Sequence, residues 1–346
     1  MNRILIRFLL TGLIFFPLHI SAQSENYSSD VSKRGTTAAN FLEIGAGARA
    51  ISMGGAFVAV ADDPTAIYWN VSGLAKFKKH GIIFNHTNWI ADLRYDFLGA
   101  TFTLGTYGAI GLSVISLSSG EMAVRTIEQP EGTGQVFDVS SLAVSLAYAI
   151  NLTSNFSIGI NLKFIREAIW DMSALGGAID LGVHYITPFK RIILGMAITN
   201  FGTKMRMDGD NALVLHDPDL STSGNNDRIP ANLKMDEWAL PLNFRVGISY
   251  HAVQAERHSL IFALDAQHPN NNYESVNVGA EYVFNNLLAL RAGYKNLFLA
   301  DSEESLTLGA GLQYRVLGNV VFHFDFAYAD FGRLENVFKY SLSVDF

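Results

Sequence analysis

The last ten residues of the chain, VFKYSLSVDF (337–346), alternate between two kinds of side chain. From residue 338 to residue 346, the even-numbered positions carry large apolar side chains and the odd-numbered positions carry small polar or charged ones. Successive side chains of a β-strand point to opposite faces, so a period of two is typical of a strand with one apolar and one polar face. This stretch therefore predicts a strand, and its final residue is aromatic.

The same alternation extends back to residue 80 and predicts about fourteen strands. Each has about 10–15 residues, and a tilted strand needs about 9–11 residues to cross a membrane. An even strand number in one chain is typical of outer-membrane barrels. The predicted strands are 80–90, 93–104, 107–118, 136–150, 154–169, 174–187, 191–201, 239–252, 258–268, 274–284, 287–297, 304–316, 319–331 and 337–346.

The connections between these strands are alternately short and long, which is the pattern of a membrane barrel with short periplasmic turns and longer outer loops. The short ones are 105–106, 151–153, 188–189, 285–286 and 317–318. The long ones are 119–135, 170–173, 202–238, 269–273, 298–303 and 332–336. Two connections depart from the rule, because 90–92 is short for an outer loop and 251–257 is long for a periplasmic turn.

The two faces of the strands decide between a soluble barrel and a membrane barrel. If the apolar face pointed inward, Phe, Tyr, Leu and Ile from every strand would overfill a closed lumen. If it points to lipid, the polar face lines the interior, where charges of both signs are expected to pair across the lumen. The charged residues predicted to line the lumen are Lys163, Asp180, Arg245, Glu281, Arg291, Lys295 and Asp325. The sequence therefore predicts an all-β transmembrane barrel.

The beginning of the chain predicts export. Residues 1–22 combine Arg3 and Arg7 with a short apolar run and a small residue before Gln23, which is typical of a secretory signal peptide. No later window has the ~20 uninterrupted apolar residues of a membrane helix. The absence of cysteine excludes thiolate catalysis and Cys-ligated metals, and the net charge of −7 argues against nucleic-acid binding.

Residues 23–79 precede the predicted barrel (80–346) and do not alternate. Residues 23–40 are expected to form a loosely ordered leader. The stretch DDPTAIYWNVSGLAK (62–76) predicts a short helix, with Asp62 or Asp63 as its cap, Pro64 in its first turn and a stop at Ser72–Gly73. The segment could lie in the periplasm or in the lumen. Small inward residues leave room for it inside, so we expect a plug with the following contact residues: Arg49, Asp62, Asp63, Tyr68, Trp69 and Asn70.

The stretch FLEIGAGARAISMGGAFVAVADDPTAIYWNVSGLA (41–75) resembles the N-terminal signature of the PorV/PorQ family of outer-membrane proteins, and more distantly the plug of FadL-type fatty-acid channels. The family typically has Asn-Pro-Ala-Gly-Leu where this chain has Asn70-Val71-Ser72-Gly73-Leu74. The resemblance implies a fourteen-stranded barrel with an N-terminal hatch in a Gram-negative outer membrane. It also implies a link to type IX secretion, in which some members pass cargo from the translocon to the surface-attachment machinery. The terminal Phe346 resembles the signal read by the barrel assembly machinery.

Three functions remain open at this stage. A secretion-linked barrel would dock partner proteins or cargo, and loop 202–238 is the candidate surface, although it could equally be a mobile outer loop. A FadL-like channel would carry small hydrophobic molecules such as fatty acids. An enzyme would need a catalytic constellation, but the nine histidines have neither triad nor metal spacing. We therefore predict a non-enzymatic protein without catalytic residues, metal or cofactor.

Overall fold

The computed structural model describes residues 33–189, 191–218, 221, 228–316, 319–334 and 336–346. The predicted signal peptide, the first part of the leader and the turn at 317–318 lie outside the described residues. None of the helices in the described part of the chain is long and apolar enough to cross a membrane.

Fourteen long antiparallel strands in the described residues close into one barrel. Each strand pairs with its neighbours in chain order, and the first strand pairs with the last. The prediction of a fourteen-stranded barrel is confirmed. The strands are β1 (Gly81–Asn88), β2 (Arg94–Thr103), β3 (Ala109–Ser118), β4 (Val139–Asn151), β5 (Phe156–Ile169), β6 (Met172–Ile186), β7 (Ile192–Gly202), β8 (Asn243–Gln254), β9 (His258–Pro269), β10 (Ser275–Phe284), β11 (Leu288–Leu297), β12 (Leu306–Arg315), β13 (Val321–Ala329) and β14 (Val337–Asp345).

The two faces of the wall follow the alternation in the sequence. In β8, for example, Arg245 and Ser249 are buried, whereas Phe244, Ile248 and Tyr250 are exposed. The same division holds in β14, where Lys339 is buried. Large apolar side chains therefore cover the outside of the barrel and polar side chains line its inside, as in a barrel that is surrounded by lipid.

Both ends of β8 differ from the predicted bounds of 239–252. The strand begins at Asn243 instead of 239, because Ala239 and Leu240 accept hydrogen bonds from Ala38 and Asn270 outside the sheet. It continues to Gln254 through a register shift between His251 and Val253. The connection to β9 is therefore only 255–257, and this end of the barrel has a short turn here as well. We call this rim the short-turn end and the opposite rim the long-loop end.

Residues 33–80, which we call the N-terminal segment, form four short helical elements. They are a 3-10 helix at Asn40–Glu43, α1 (Ala48–Ser52), α2 (Ala66–Trp69) and a 3-10 helix at Val71–Lys76. Most side chains between Phe41 and Ala75 are buried. Ordered contacts begin before residue 41, because Thr37 forms a parallel bridge with Ala239 and Ala39 is buried. The part of the predicted leader from residue 33 onward is therefore not a loose extension.

The residues around α2 do not all cap or end the helix as predicted. The carboxylate of Asp63 accepts from the Thr65 N–H just ahead of the helix, whereas Asp62 does not cap it. The helix ends at Trp69, and the Asn70 side chain then caps the next 3-10 turn by accepting from the Ser72 N–H. Gly73 lies inside that turn, where an added Cβ would meet the Ala61 carbonyl oxygen at 2.0 Å. Close packing, not helix termination, requires this glycine.

The connections at the long-loop end carry some structure of their own. Leu213–His216 pairs with Ile229–Asn232 as a hairpin within the 202–238 connection, next to a 3-10 turn at Asp210–Ala212. Asp208–Gly209 adds to the edge of β6. Met122–Ala123 pairs with Val136–Phe137 in the loop between β3 and β4. Single 3-10 turns occur at Ile90–Asp92 and, at the short-turn end, at Gly105–Tyr107.

Candidate functional site

The N-terminal segment depends on the barrel wall for many of its backbone hydrogen bonds. A helix of four or five residues leaves most of its N–H and C=O groups without an internal partner, and such groups need another partner when they are buried. Strand side chains supply those partners. Asp265 of β9 accepts from both Phe57 N–H and Val58 N–H at 2.8 Å. Lys339 of β14 donates to the carbonyl oxygens of Ile44 and Gly45.

Further contacts of the same kind come from strands all around the barrel. These strand side chains, with the segment residue each one binds, are Asn85 (Gly47), Ser341 (Ala48), Thr307 (Ser52 and Gly54), His184 (Ala59), Asn161 (Ile67) and Asn151 (Ala75). Asn151 was expected in the turn 151–153, whereas the alternation in the sequence assigned Asn161, His184, Asp265 and Lys339 to the inner face. It gave no sign of which inward residue binds the segment, because that depends on where the segment lies against the wall.

Glycines in the wall let the segment approach the strand backbone. An added Cβ would lie 2.2 Å from the Gly54 nitrogen at Gly293 and 2.3 Å from the Met53 carbonyl oxygen at Gly279. Gly195 is similarly close to the Val58 carbonyl. These contacts give the small inward residues a specific role, since any side chain at these positions would displace the segment.

The aromatic pair of the segment makes most of its polar contacts within the segment. The Tyr68 hydroxyl donates to the Leu42 carbonyl and accepts from Gly45 N–H. The Trp69 indole donates to the Ala46 carbonyl at 2.8 Å, and its ring lies 5.1 Å below the guanidinium carbon of Arg245 on the wall. Asn70 joins both parts, because its amide nitrogen donates to Val58 in the segment and to Val183 in β6.

A network of charges connects the segment to the wall near the short-turn end. Arg49 forms ion pairs with Asp62 at 2.5 Å, Asp63 at 3.1 Å and Glu281 of β10 at 2.8 Å. Glu281 also binds Arg291 of β11 at 2.5 Å. Burial alone would lower the pKa of Arg49, but the three carboxylates raise this pKa well above its usual value. Asp62 and Asp63 thus bind the segment's own arginine, which in turn binds the wall.

The inward charges pair along the wall instead of across the lumen, which corrects the expectation from the sequence. Arg291 binds Asp325 of β13 at 2.7 Å by reaching over the intervening strand β12. The residue beneath this pair is Gly311, where an added Cβ would lie 2.2 Å from the Asp325 carboxylate. Near the long-loop end, Lys295 binds Glu304 at 2.5 Å.

A second wall cluster supports a bulge between β6 and β7. Lys163 binds Asp180 at 2.7 Å and the side chain of Asn200 at 2.7 Å. Asn200 has a left-handed backbone (φ 62°), and its N–H donates to the other oxygen of Asp180. The register shift between Ile179 and Leu181 lies here. Lys163 and Asp180 therefore stabilise the wall itself.

Two cavities flank the segment within the barrel. The cavity near the short-turn end has a volume of about 250 Å³ and is lined by Arg49 and its charged partners. The cavity near the long-loop end has a volume of about 390 Å³, with Arg245, Trp69 and Trp89 among its lining residues. In the described part of the chain, no group of three or more His, Asp or Glu side chains is arranged to hold a metal ion.

Residues 27–234 match the model of a protein family described as type IX secretion system protein PorV. The chain belongs to the PorV family. The resemblance noted in the sequence is thereby confirmed, and the barrel is a Gram-negative outer-membrane protein of a family linked to type IX secretion. Comparison with curated protein sequences found no significant match.

Among the solved structures similar to this PorV-family chain are several channels. They include the monoaromatic hydrocarbon channel CymD (13% identity, TM-score 0.53) and the toluene transporter TodX of Pseudomonas putida (12% identity, TM-score 0.55). Each similarity covers 87% of this chain and 97% of the other. At such identities these likenesses show a shared barrel fold and say nothing about whether this chain transports a molecule.

Proposed function

We propose that this barrel is a non-enzymatic docking protein of type IX secretion, and that the N-terminal segment remains in the lumen as a plug. In this proposal, the long-loop end faces the outside of the cell and binds secreted cargo or another protein of the secretion system. The observation that carries the proposal is the set of hydrogen bonds from strand side chains to the segment backbone, together with the ion pair between Arg49 and Glu281.

The energetic argument favours docking over conduction. Expelling the segment would break bonds to most parts of the wall, and each typical hydrogen bond contributes about 0.5–1.5 kcal/mol. It would also separate Arg49 from Glu281, which is buried and shared with Arg291. Unpairing a buried ion pair is more costly than losing a neutral hydrogen bond. A barrel whose plug is bound in this way is suited to act through its surface.

The long-loop end offers a surface for such a role. The hairpin formed by Leu213–His216 and Ile229–Asn232 exposes Leu213, Leu215 and Ile229. Its base is held in place, because Met205 pairs with Trp238 through two backbone hydrogen bonds and Met205 is buried. Exposed apolar residues on a supported hairpin are a suitable site for a protein partner.

The test is to replace residues 213–232 with a short Gly-Ser linker while leaving the base intact. The tagged protein is then purified from outer membranes, and both co-purifying proteins and secretion of cargo are measured. We expect the complex and secretion to be lost while the barrel still shows heat-modifiable migration in gels. The matched control replaces residues 124–135 of the loop between β3 and β4 and should retain both. Intact complexes and secretion without the hairpin would refute the docking surface.

A FadL-like channel for small hydrophobic molecules is the alternative function. Polar and charged residues dominate the lining of both cavities that flank the segment, which does not suit a hydrophobic passenger. The described strands are also paired with both neighbours all around the wall. Native mass spectrometry of the purified protein distinguishes the two functions, because bound fatty acid without a protein partner would favour the channel.

We further propose that the terminal strand is recognised by the barrel assembly machinery through Phe346. This residue lies at the seam between β14 and the start of β1, where its backbone exchanges two hydrogen bonds with His80. Its ring is about half exposed. Deleting Phe346 should reduce the amount of barrel in outer membranes, as measured by immunoblot, and unchanged levels would contradict this role.

A further inference from the structure

Arg245 differs from the other arginine and lysine residues buried inside the barrel. Arg49 and Arg291 bind carboxylates, Lys163 binds Asp180, and Lys339 binds two carbonyl oxygens. Arg245 is only 9% exposed, and no carboxylate in the described part of the chain lies within ion-pair distance of it, although its side chain contacts the Tyr68 hydroxyl. Its Nε has no hydrogen-bond partner among the described residues.

An unpaired buried guanidinium is costly, because it loses hydration without gaining an anion. The ring of Trp69 beneath it offsets part of this cost, since a cation–π contact contributes about 0.5–2 kcal/mol. Glu43 lines the same cavity but does not pair with Arg245, and its carboxylate accepts instead from the Asn271 amide at 3.0 Å. The carboxylates of Glu43 and Asp265 act on Arg245 only from a distance, so its guanidinium keeps the capacity to bind an anion directly.

The cavity next to Arg245 contains two further polar atoms without a partner in the described residues. They are the side-chain oxygens of Asn243 and Asn271, and both residues are buried, at 4% and 7% exposure. Both atoms are hydrogen-bond acceptors, so a donor from water or from a ligand would satisfy them. The rings of Trp69 and Trp89 form apolar parts of the wall. A volume of about 390 Å³ lies within the range of about 300–1,000 Å³ of small-molecule sites.

We propose that this cavity at the long-loop end binds a small carboxylate that also carries hydroxyl donors, such as a sugar acid. The carboxylate accepts from the guanidinium of Arg245, and hydroxyl groups donate to the oxygens of Asn243 and Asn271. The tryptophan rings contact the C–H faces of the ligand. A purely apolar carboxylate leaves both asparagine oxygens without donors, and a neutral sugar leaves the arginine without an anion.

The binding test uses the full mature chain in a non-ionic detergent and isothermal titration calorimetry with three probes. D-glucuronate carries both features, D-glucose lacks the carboxylate, and octanoate lacks the hydroxyl donors. We expect glucuronate to bind at least about tenfold more tightly than either of the others, which corresponds to about 1.4 kcal/mol. No glucuronate binding up to about 10 mM, or equal binding of glucose, would overturn the proposal, as would preferential binding of octanoate.

Variants assign any binding to this cavity. Arg245→Met should weaken glucuronate binding at least about tenfold, and Asn243→Ala should weaken it less. Arg94→Gln changes an exposed arginine outside the cavity and should bind as the unchanged protein does. Heat-modifiable migration shows that each variant is folded, and unchanged glucuronate binding by folded Arg245→Met would overturn the site. The outcome is independent of the docking function, because the hairpin replacement leaves the cavity residues in place.

Discussion

The two ends of the barrel interior use arginine in opposite ways. Near the short-turn end, Arg49 and Arg291 share Glu281 and bind three further carboxylates, so that segment and wall form one charge network. Near the long-loop end, Arg245 lies on Trp69 in a cavity lined largely by amide side chains, and it forms no ion pair with the cavity carboxylates Glu43 and Glu304. Arg245 and Arg291 both point inward from the wall, so side-chain direction does not explain the difference.

The contrast indicates a division of roles between the two ends. A fully paired buried network contributes to holding two parts of a protein in one arrangement. A buried cation without a counter-ion contributes little to stability and retains its capacity to bind an anion. Substitutions at the two ends should therefore have effects of different size and kind on unfolding and on ligand binding.

The largest expected effect is that of Glu281→Gln. It removes the anion that Arg49 and Arg291 share, and breaking a buried ion pair in this way costs about 3–5 kcal/mol. Urea unfolding of the purified barrel in micelles, followed by tryptophan fluorescence, measures the free energy of unfolding. Glu274→Gln is the matched control, because Glu274 pairs with His268 at an exposed site and should leave the urea midpoint unchanged. Similar midpoints for both variants would show that the network does not stabilise the barrel.

The next effect is expected from Gly311→Ala. The new methyl group would occupy the space between Arg291 and Asp325 and force the two side chains apart. Overpacking of this kind costs about 1–3 kcal/mol. Gly177→Ala is a close control, because its nearest atom would be a carbonyl oxygen at 3.7 Å. The same urea titration should show a lower midpoint for Gly311→Ala only. Equal midpoints would mean that the ion pair tolerates a larger residue beneath it.

The sequence predicted much of this architecture because the alternation of side chains is a local signal. It gave fourteen strands and placed Arg245 and Arg291 on the inner face, where the structure has them. It did not predict that Arg291 forms ion pairs and that Arg245 does not. That depends on register, which places Gly311 beside Asp325 and Glu281 beside Arg291. Register arises from contacts between strands and cannot be read from one strand alone.

The N-terminal segment was harder to predict for a related reason. Its short helices have local signals, and α2 lies within the stretch where a helix was expected. Its partners are side chains such as Asp265 and Lys339, which are about 200 and about 300 residues away in the chain. The same distance explains the misplaced start of β8, since the bond between Ala38 and Ala239 joins two remote parts of the sequence.

Arg245→Met is expected to have a small effect on stability, in contrast with Glu281→Gln. Removing a buried charge that has no ion-pair partner stabilises the barrel, whereas losing the contact with Trp69 destabilises it. The free energy of unfolding should therefore change by no more than about 1 kcal/mol. Urea titration measures this change in parallel with the glucuronate titration. A loss as large as that of Glu281→Gln would make Arg245 a structural residue and remove the contrast between the two ends.

The smallest effect is expected from Arg333→Gln, which tests whether exposure or position determines the role of charge at the long-loop end. Arg333 pairs with Glu303 in neighbouring loops, but its side chain is 83% exposed. Water and salt screen such a pair, and holding two long side chains together costs conformational entropy. The urea midpoint should therefore match that of the unchanged protein at both low and high salt. A salt-dependent loss would show that charges at the long-loop end stabilise the barrel through its loops. If the urea midpoint is unchanged, the exposed pair does not stabilise the barrel, because water solvates a cation in the loops. Arg245 then differs from Arg333 by being buried, where a ligand anion takes the place of water.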